Sequence, residues 1–124
     1  MSRLEVPIIC VVIGEGSSGG ALAIGVGDKI IMLENSIYSV LSPEGFASIL
    51  YKDGTQYERA AKEMKITAKD LKDLQVIDEI IKEDNIFENT KKSILKNLKA
   101  LKSKSVEELI NNRYEKYRTI GSNL

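Results

Sequence analysis

The sequence predicts an α/β protein, and three observations predict it. Up to about Leu50 the chain is apolar and glycine-rich, with short β-branched runs of strand length. Beyond Gly54 it turns charged and takes on helical spacing. Between the first two apolar runs lies Gly14-Glu15-Gly16-Ser17-Ser18-Gly19-Gly20-Ala21-Leu22-Ala23. A strand that breaks into a glycine-rich turn and then a helix delivers free backbone N–H groups to one point, where the helix dipole also favours negative charge. An anion is expected there: a phosphate, an acyl-enzyme oxyanion or an enolate.

The elements follow in order. The run Ile8–Ile13 holds Ile8, Ile9, Val11, Val12 and Ile13, apolar on both alternating faces, as in a strand covered on both sides of its sheet. A helix of about Ser18 to Val26 follows, kept short by Gly25 and Gly27. Lys29–Leu33 and Ile37–Leu41 are the next strand candidates, separated by a gap too short for a helix. Ser42-Pro43-Glu44 then starts a helix, with a serine cap, proline at the first helical position and an acid near the positive helix end. Thr67 with Asp70 and Ser105 with Glu108 repeat the capping signal, and Val76–Ile81 reads as a last short strand. In the C-terminal stretch, Ile94, Leu95, Leu98 and Leu101 make one apolar helix face; Leu109, Ile110, Tyr114 and Tyr117 make the next. Lys91, Lys92, Lys96, Lys99, Lys102 and Lys104 decorate the first, and a solvated face is favoured over a phosphate site. No internal repeat or low-complexity segment shows in the sequence.

Composition narrows the function classes. At 124 residues the chain is at most one domain with a core of modest size. Basic and acidic residues balance at 18 each, so no global field draws it to nucleic acid or to a membrane. Cys10 is the single cysteine and there is no histidine, which rules out a disulfide framework, the usual zinc site and the commonest general base. A reducing compartment, the cytoplasm, is expected. No apolar stretch approaches the ~20 residues of a membrane span. Arg3, the apolar run from Pro7 and the small residues up to Ala21-Leu22-Ala23 have the outline of a secretory signal; Glu5, Pro7 and Glu15 oppose it, and a buried strand is the preferred reading.

The glycine turn admits four chemistries. Gly14-Glu15-Gly16-Ser17-Ser18-Gly19 fits the dinucleotide spacing, with Glu34 where a ribose-binding acid belongs, but the intervening helix is too short and no βαβ unit follows. A P-loop fails, because Gly20 and Ala21 stand where it needs Lys and Ser or Thr. Gly16-Ser17-Ser18-Gly19-Gly20 matches the nucleophile elbow with Ser18 as nucleophile, yet the chain has no histidine to activate it. An oxyanion hole made of backbone alone remains: Gly19 and Gly20 open the helix without side chains, so a substrate can approach their N–H groups closely.

Gly19-Gly20-Ala21-Leu22-Ala23, Asp28, the strand Ile30–Leu33 and Ser42-Pro43-Glu44 together resemble the crotonase superfamily. The likeness is much closer to one branch. Val6-Pro7-Ile8-Ile9-Cys10, Val12 to Gly16, Ser18 to Lys29, and Tyr38 to Gly45 with Ala47-Ser48-Ile49-Leu50 are similar to the carboxyltransferase alpha-subunit family of bacterial acetyl-CoA carboxylase. The similarity continues through Ala60-Ala61, Thr67-Ala68, Leu71-Lys72 and Val76 to Ile81, and resumes at Glu107-Glu108-Leu109, Arg113-Tyr114 and Gly121. Three departures stand out: Ser17 replaces a usual glycine, residues 82–90 lack the family's Pro/Gly-rich segment, and Met1-Ser2-Arg3-Leu4 resembles a point inside a longer chain.

The resemblance implies a partial crotonase-like (ClpP/crotonase) spiral with C-terminal helices: residues 1–82 as the C-terminal half of a carboxyltransferase core, 83–124 as a helical segment. It implies transfer of a carboxyl group from carboxybiotin on the biotin carrier protein to acetyl-CoA, giving malonyl-CoA for fatty acid biosynthesis, in a chain inactive alone. Gly19 and Gly20 would be the oxyanion hole on the biotin side, with Gly16, Ser18 and Glu44 binding substrate. The implied partners are the carboxyltransferase beta subunit, the biotin carrier protein and biotin carboxylase in an alpha2beta2-like assembly, with biotin not covalently bound here. The alternatives are a crotonase-like enoyl-CoA hydratase or isomerase, and an inactive truncated interaction module. Against hydration, Glu44 matches one of the two acid/base carboxylates, but Leu22 stands at the other and cannot carry a proton.

Overall fold

The computed structural model describes residues 1–122. Strand β1 (Ile9–Val12) leads through Ile13 and Gly14 into a second, very short strand β2 (Glu15–Ser17) and helix α1 (Ser18–Ile24). The chain then repeats the pattern: β3 (Lys29–Leu33), β4 (Ile37–Ser39) and α2 (Pro43–Leu50). β3 lies parallel beside β1 with Ile9 opposite Lys29, and β4 lies parallel beside β2 with Glu15 opposite Ile37. Two small parallel sheets therefore grow together, one strand each per β-β-α turn. A single-turn 3-10 helix (Gly54–Gln56), α3 (Tyr57–Met64) and α4 (Ala68–Asp73) lead to β5 (Glu79–Ile81), which completes the order β1-β3-β5. Two long helices, α5 (Ile86–Lys102) and α6 (Val106–Thr119), close the described chain.

All three capping signals form. Ser42, Thr67 and Ser105 each accept a backbone N–H, from Gly45, Asp70 and Glu108 at 3.1, 3.3 and 3.1 Å, each cap contributing ~1 kcal/mol. Lys29–Leu33 is a strand as expected, whereas three other candidates are trimmed. The run Ile8–Ile13 shortens to β1, Ile37–Leu41 to β4, and Val76–Ile81 to β5. The last is cut because the N–H groups of Val76 and Ile77 turn back to the Leu71 carbonyl.

Burial corrects two further expectations. The strand buried on both faces is β3, not β1: Ile30, Met32 and Tyr38 pack with Ala68, Leu71 and Ile77 on one side, and Ile31 and Leu33 with Ile81, Ile9 and Ile86 on the other. β1 is an edge strand, half-buried throughout, and Ile13 beyond it is 70 % exposed. The C-terminal helices keep most of their expected apolar faces, with Leu95 and Tyr114 turned out and polar residues turned in. In α5 the buried row is Ser93, Asn97 and Leu101, while Leu95 is 55 % exposed. Asn97 turns inward because its amide donates to Glu79 Oε2 at 3.1 Å and to the Ser93 carbonyl at 2.9 Å. In α6 the inward row is Leu109, Arg113 and, half-buried, Tyr117, one turn apart, while Tyr114 is 59 % exposed. The lysines of α5 stay on the solvent side, as expected, with Lys92 and Lys96 paired to Glu88 and Glu79.

Arg113 decides the seating of α6. Its guanidinium is 2 % exposed and grips Asp28 bidentately, Nε to Oδ1 at 2.8 Å and Nη2 to Oδ2 at 2.9 Å. The remaining N–H groups donate to backbone carbonyls of the N-terminal segment, at Leu4 (2.8 Å), Val6 (2.9 Å), Ser2 (3.2 Å) and Met1 (3.4 Å). Asp28 also accepts the Ile8 N–H at 2.7 Å. Asp78 has the same place one strand on: it accepts the Ile30 N–H at 2.7 Å and pairs with Lys29 and Lys116. Burial works to raise the Asp78 carboxyl, but the Lys116 and Ile30 hydrogen bonds and the two lysine charges outweigh it and hold the group below the usual carboxylate range.

Two predictions follow from this packing. Replacing the guanidinium by an apolar chain, Arg113→Met, leaves the Asp28 carboxylate buried and unpaired and lowers stability by about 3–5 kcal/mol; adding Asp28→Asn restores part of the loss, read by urea unfolding. The outer edge of β1 pairs with no strand among the described residues, and Val6, Ile13, Leu22 and Ile24 expose apolar surface around it. Unpaired edges of this kind associate, so static light scattering shows the chain's mean mass rising with concentration. A constant monomer mass at high concentration contradicts it.

Candidate functional site

The glycine turn lies where one sheet hands the chain to the other. The Gly14 carbonyl accepts the Ile37 N–H at 2.9 Å, and Glu15–Ser17 then run in register beside Ile37–Ser39. β2 is the element the sequence concealed, because Glu-Gly-Ser carries no strand pattern. Ser18 follows with φ 65°, in the left-handed region, a conformation costing a residue with a β-carbon of order 1–3 kcal/mol. That turn lets α1 begin directly at the strand end. Gly19 and Gly20 are its second and third residues, and both are exposed. As first-turn residues their N–H groups have no upstream carbonyl within the helix, and no turn or loop hydrogen bond engages either among the described residues. Ser17 offers no side-chain cap.

The glycines divide into two kinds. A β-carbon on Gly25 would collide with the Tyr38 hydroxyl and stand 2.9 Å from the Ala21 carbonyl oxygen; on Gly27 it would stand 2.8 Å from Cys10 Sγ. Those two are required by packing. A β-carbon on Gly19 or Gly20 would meet nothing within 4 Å. This chain leaves that space open, and both residues are exposed.

The other candidate residues spread around this point. Gly16 sits in β2 opposite Tyr38, whose ring would lie 3.0 Å from a β-carbon there. It also lines a cavity of about 420 Å3 with Cys10, Val12, Ala21, Ile24 and Tyr38. Gly19 and Gly20 do not border that cavity but face open surface, where a cleft was expected. Ser18 is adjacent to the glycine pair and exposed, and its hydroxyl makes no hydrogen bond among the described residues. Glu44 is apart from them, exposed in the first turn of α2 and without a hydrogen bond or ion pair to the described residues. Ser17 and Ser39 are register partners, so α1 and α2 both leave from the same end of the β2–β4 sheet.

Cys10 is held as a thiol. Burial pushes its thiol up, against the lowering effect of Lys116, and the sulfur donates to the Ile24 carbonyl at 3.2 Å. Burial likewise raises the Tyr38 phenol. Among the described residues no helix is long and apolar enough to cross a membrane.

Residues 1–121 match the family described as acetyl co-enzyme A carboxylase carboxyltransferase-like. The chain belongs to this family. A carboxyl transferase subunit alpha of acetyl-coenzyme A carboxylase from Halalkalibacterium halodurans is 58 % identical over 130 aligned positions, and one from Clostridium perfringens is 55 % identical. Both alignments take in 98 % of this chain but only 40 % and 48 % of those relatives, so it spans less than half their length. A Natranaerobius thermophilus protein named as carboxyl transferase subunits beta/alpha is 52 % identical, with 22 % of its length matched. Since 130 positions exceed the 124 residues here, the relatives carry residues that this carboxyltransferase-like chain skips. Among solved structures, transcarboxylase 12S superposes with a TM-score of 0.68 at 20 % identity, over 83 % of this chain and 22 % of that one. The stacked β-β-α turns are a partial crotonase-like spiral.

The two kinds of glycine predict opposite stability effects. Gly25→Ala overpacks against Tyr38 and the Ala21 carbonyl and costs about 1–3 kcal/mol. Gly20→Ala meets no atom and, in a helical position, stabilises by up to about 1 kcal/mol. Thermal unfolding of the two variants beside the parent chain checks both signs.

Proposed function

We propose that this chain is the C-terminal part of a carboxyltransferase alpha subunit of acetyl-CoA carboxylase. In that reading it takes part in moving a carboxyl group from carboxybiotin on the biotin carrier protein to acetyl-CoA, giving malonyl-CoA for fatty acid biosynthesis in the cytoplasm. The family match across residues 1–121 carries the reading. The open space over Gly19 and Gly20 agrees with it: a ureido group borne by a carrier protein needs an unobstructed approach to backbone donors, and a β-carbon there would take that space.

Carrier-bound biotin supplies the carboxyl group. This chain holds two N–H donors, at the opening of α1, where negative charge develops on the ureido oxygen as the carboxyl group leaves. Fixed donors cost no reorganisation at that moment, and losing one typically costs ~3 kcal/mol. Gly16 shapes the turn and Ser18 orients it. Glu44 acts chiefly as an acid stabilising the start of α2. The acetyl-CoA site and a second oxyanion hole belong to the beta subunit in an alpha2beta2-like assembly, with biotin carboxylase reloading the carrier. A relative in which beta and alpha are named together in one polypeptide supports that pairing.

Malonyl-CoA formation, assayed after mixing the chain with beta subunit, carboxylated carrier and the remaining part of an alpha subunit, tests the whole reading; no turnover in any such mixture favours an inactive module. Within an active mixture, Gly20→Val abolishes transfer because its branched β-carbon blocks the amides. Ser18→Ala retains most activity. A dead alanine variant would instead restore Ser18 as a nucleophile.

A further inference from the structure

Helix α1 is seven residues long and none of them is buried. A helix so short has no stability of its own, so its direction is set by whatever grips it. Three side chains do. The Tyr38 hydroxyl reaches the Ala21 carbonyl at 3.4 Å, a long contact, and the Cys10 thiol, a weak donor, reaches the Ile24 carbonyl. The third grip is tighter. Tyr117, from α6, accepts the Gly27 N–H at 2.8 Å and lies 2.8 Å from both the Gly25 and Gly27 carbonyls, its one proton serving either. Burial pushes the phenol up to about 12, so that proton is present throughout the neutral range. Tyr117 reaches this spot because it continues the row of Leu109 and Arg113, and Arg113 is locked to Asp28, the residue directly after Gly27.

We propose that Tyr117 is a positioning residue for the glycine turn: its hydroxyl fixes the C-terminal end of α1 and thereby the direction of the Gly19 and Gly20 amides at the other end. The assignment rests on the reading of those amides as the oxyanion donors. It joins the last described helix to the glycine turn by one phenol, Tyr117 and Gly27 standing 90 residues apart in the chain.

Hydrogen–deuterium exchange on the 124-residue chain tests the grip without any assay of turnover. Tyr117→Phe keeps the ring and removes the hydroxyl. Tyr114→Phe removes the same group from the same helix at an exposed position and serves as control. In Tyr117→Phe the segment 18–27 exchanges about tenfold faster, as expected when a buried shared hydrogen-bond partner is lost, while β3 is unchanged; the control alters neither. Unchanged exchange over 18–27, or an equal rise in β3, overturns the proposal, the second because it marks a general loss of stability. In the active mixture Tyr117→Phe lowers kcat about tenfold and leaves the KM for acetyl-CoA as it was. Faster exchange over 18–27 with undiminished kcat leaves the grip in place and removes the amides from the chemistry, so the two readings fail separately.

Discussion

The buried pair of Arg113 and Asp28 ties the last described helix to the entrance of β3 and to the N-terminal segment. One guanidinium, with five N–H donors in a rigid fork, answers a carboxylate at the entrance to β3 and the carbonyls of the segment leading to β1. Neither group is affordable alone at that depth: an unpaired charge there costs several kcal/mol. Together they fix the rotation of α6, and with it which residues of α6 look inward. Tyr117 follows Arg113 by one turn and is delivered to the end of α1. Lys116, beside it, is delivered to Asp78. The candidate site is thus supported from the far end of the sequence.

The spiral itself is built by stacking. Each β-β-α turn adds one strand to each of two parallel sheets, and Asp28 and Asp78 hold equivalent places, each accepting the N–H of the residue it faces on the preceding strand. Repetition of this kind buries the middle strand from Ile30 to Leu33 and leaves the first only half covered. The core therefore centres on β3, and apolar residues around β1 stay exposed.

Much of the site was legible in the sequence, and the glycine turn most of all. Strand β1, glycine pair and helix appear in the expected order because β-branched residues and helical spacing act locally, although the concealed strand β2 intervenes and the left-handed turn falls on Ser18 and not on a glycine. The helix caps were legible for the same reason, since a serine or threonine three residues before its partner N–H is a local geometry. The repeat was not. Glu15-Gly16-Ser17 and Ile37-Tyr38-Ser39 share almost no chemistry, yet they are register partners, because parallel pairing constrains backbone and not side-chain identity.

What the sequence determined by itself, then, were the elements whose cause lies within a few residues: the strand Lys29–Leu33, the three capped helices, and the pair Gly19 and Gly20 at the opening of α1. Apolar periodicity found most of the inner faces of α5 and α6 but placed Leu95 and Tyr114 there, which face solvent, and passed over Asn97 and Arg113, which lie buried. Tertiary structure decided those faces, because a buried polar group is stable only when its partner is present, and Glu79 and Asp28 are brought opposite by the sheet, not by the helix. It also decided which glycines are packed against and which stand open, a distinction of space that no run of letters carries.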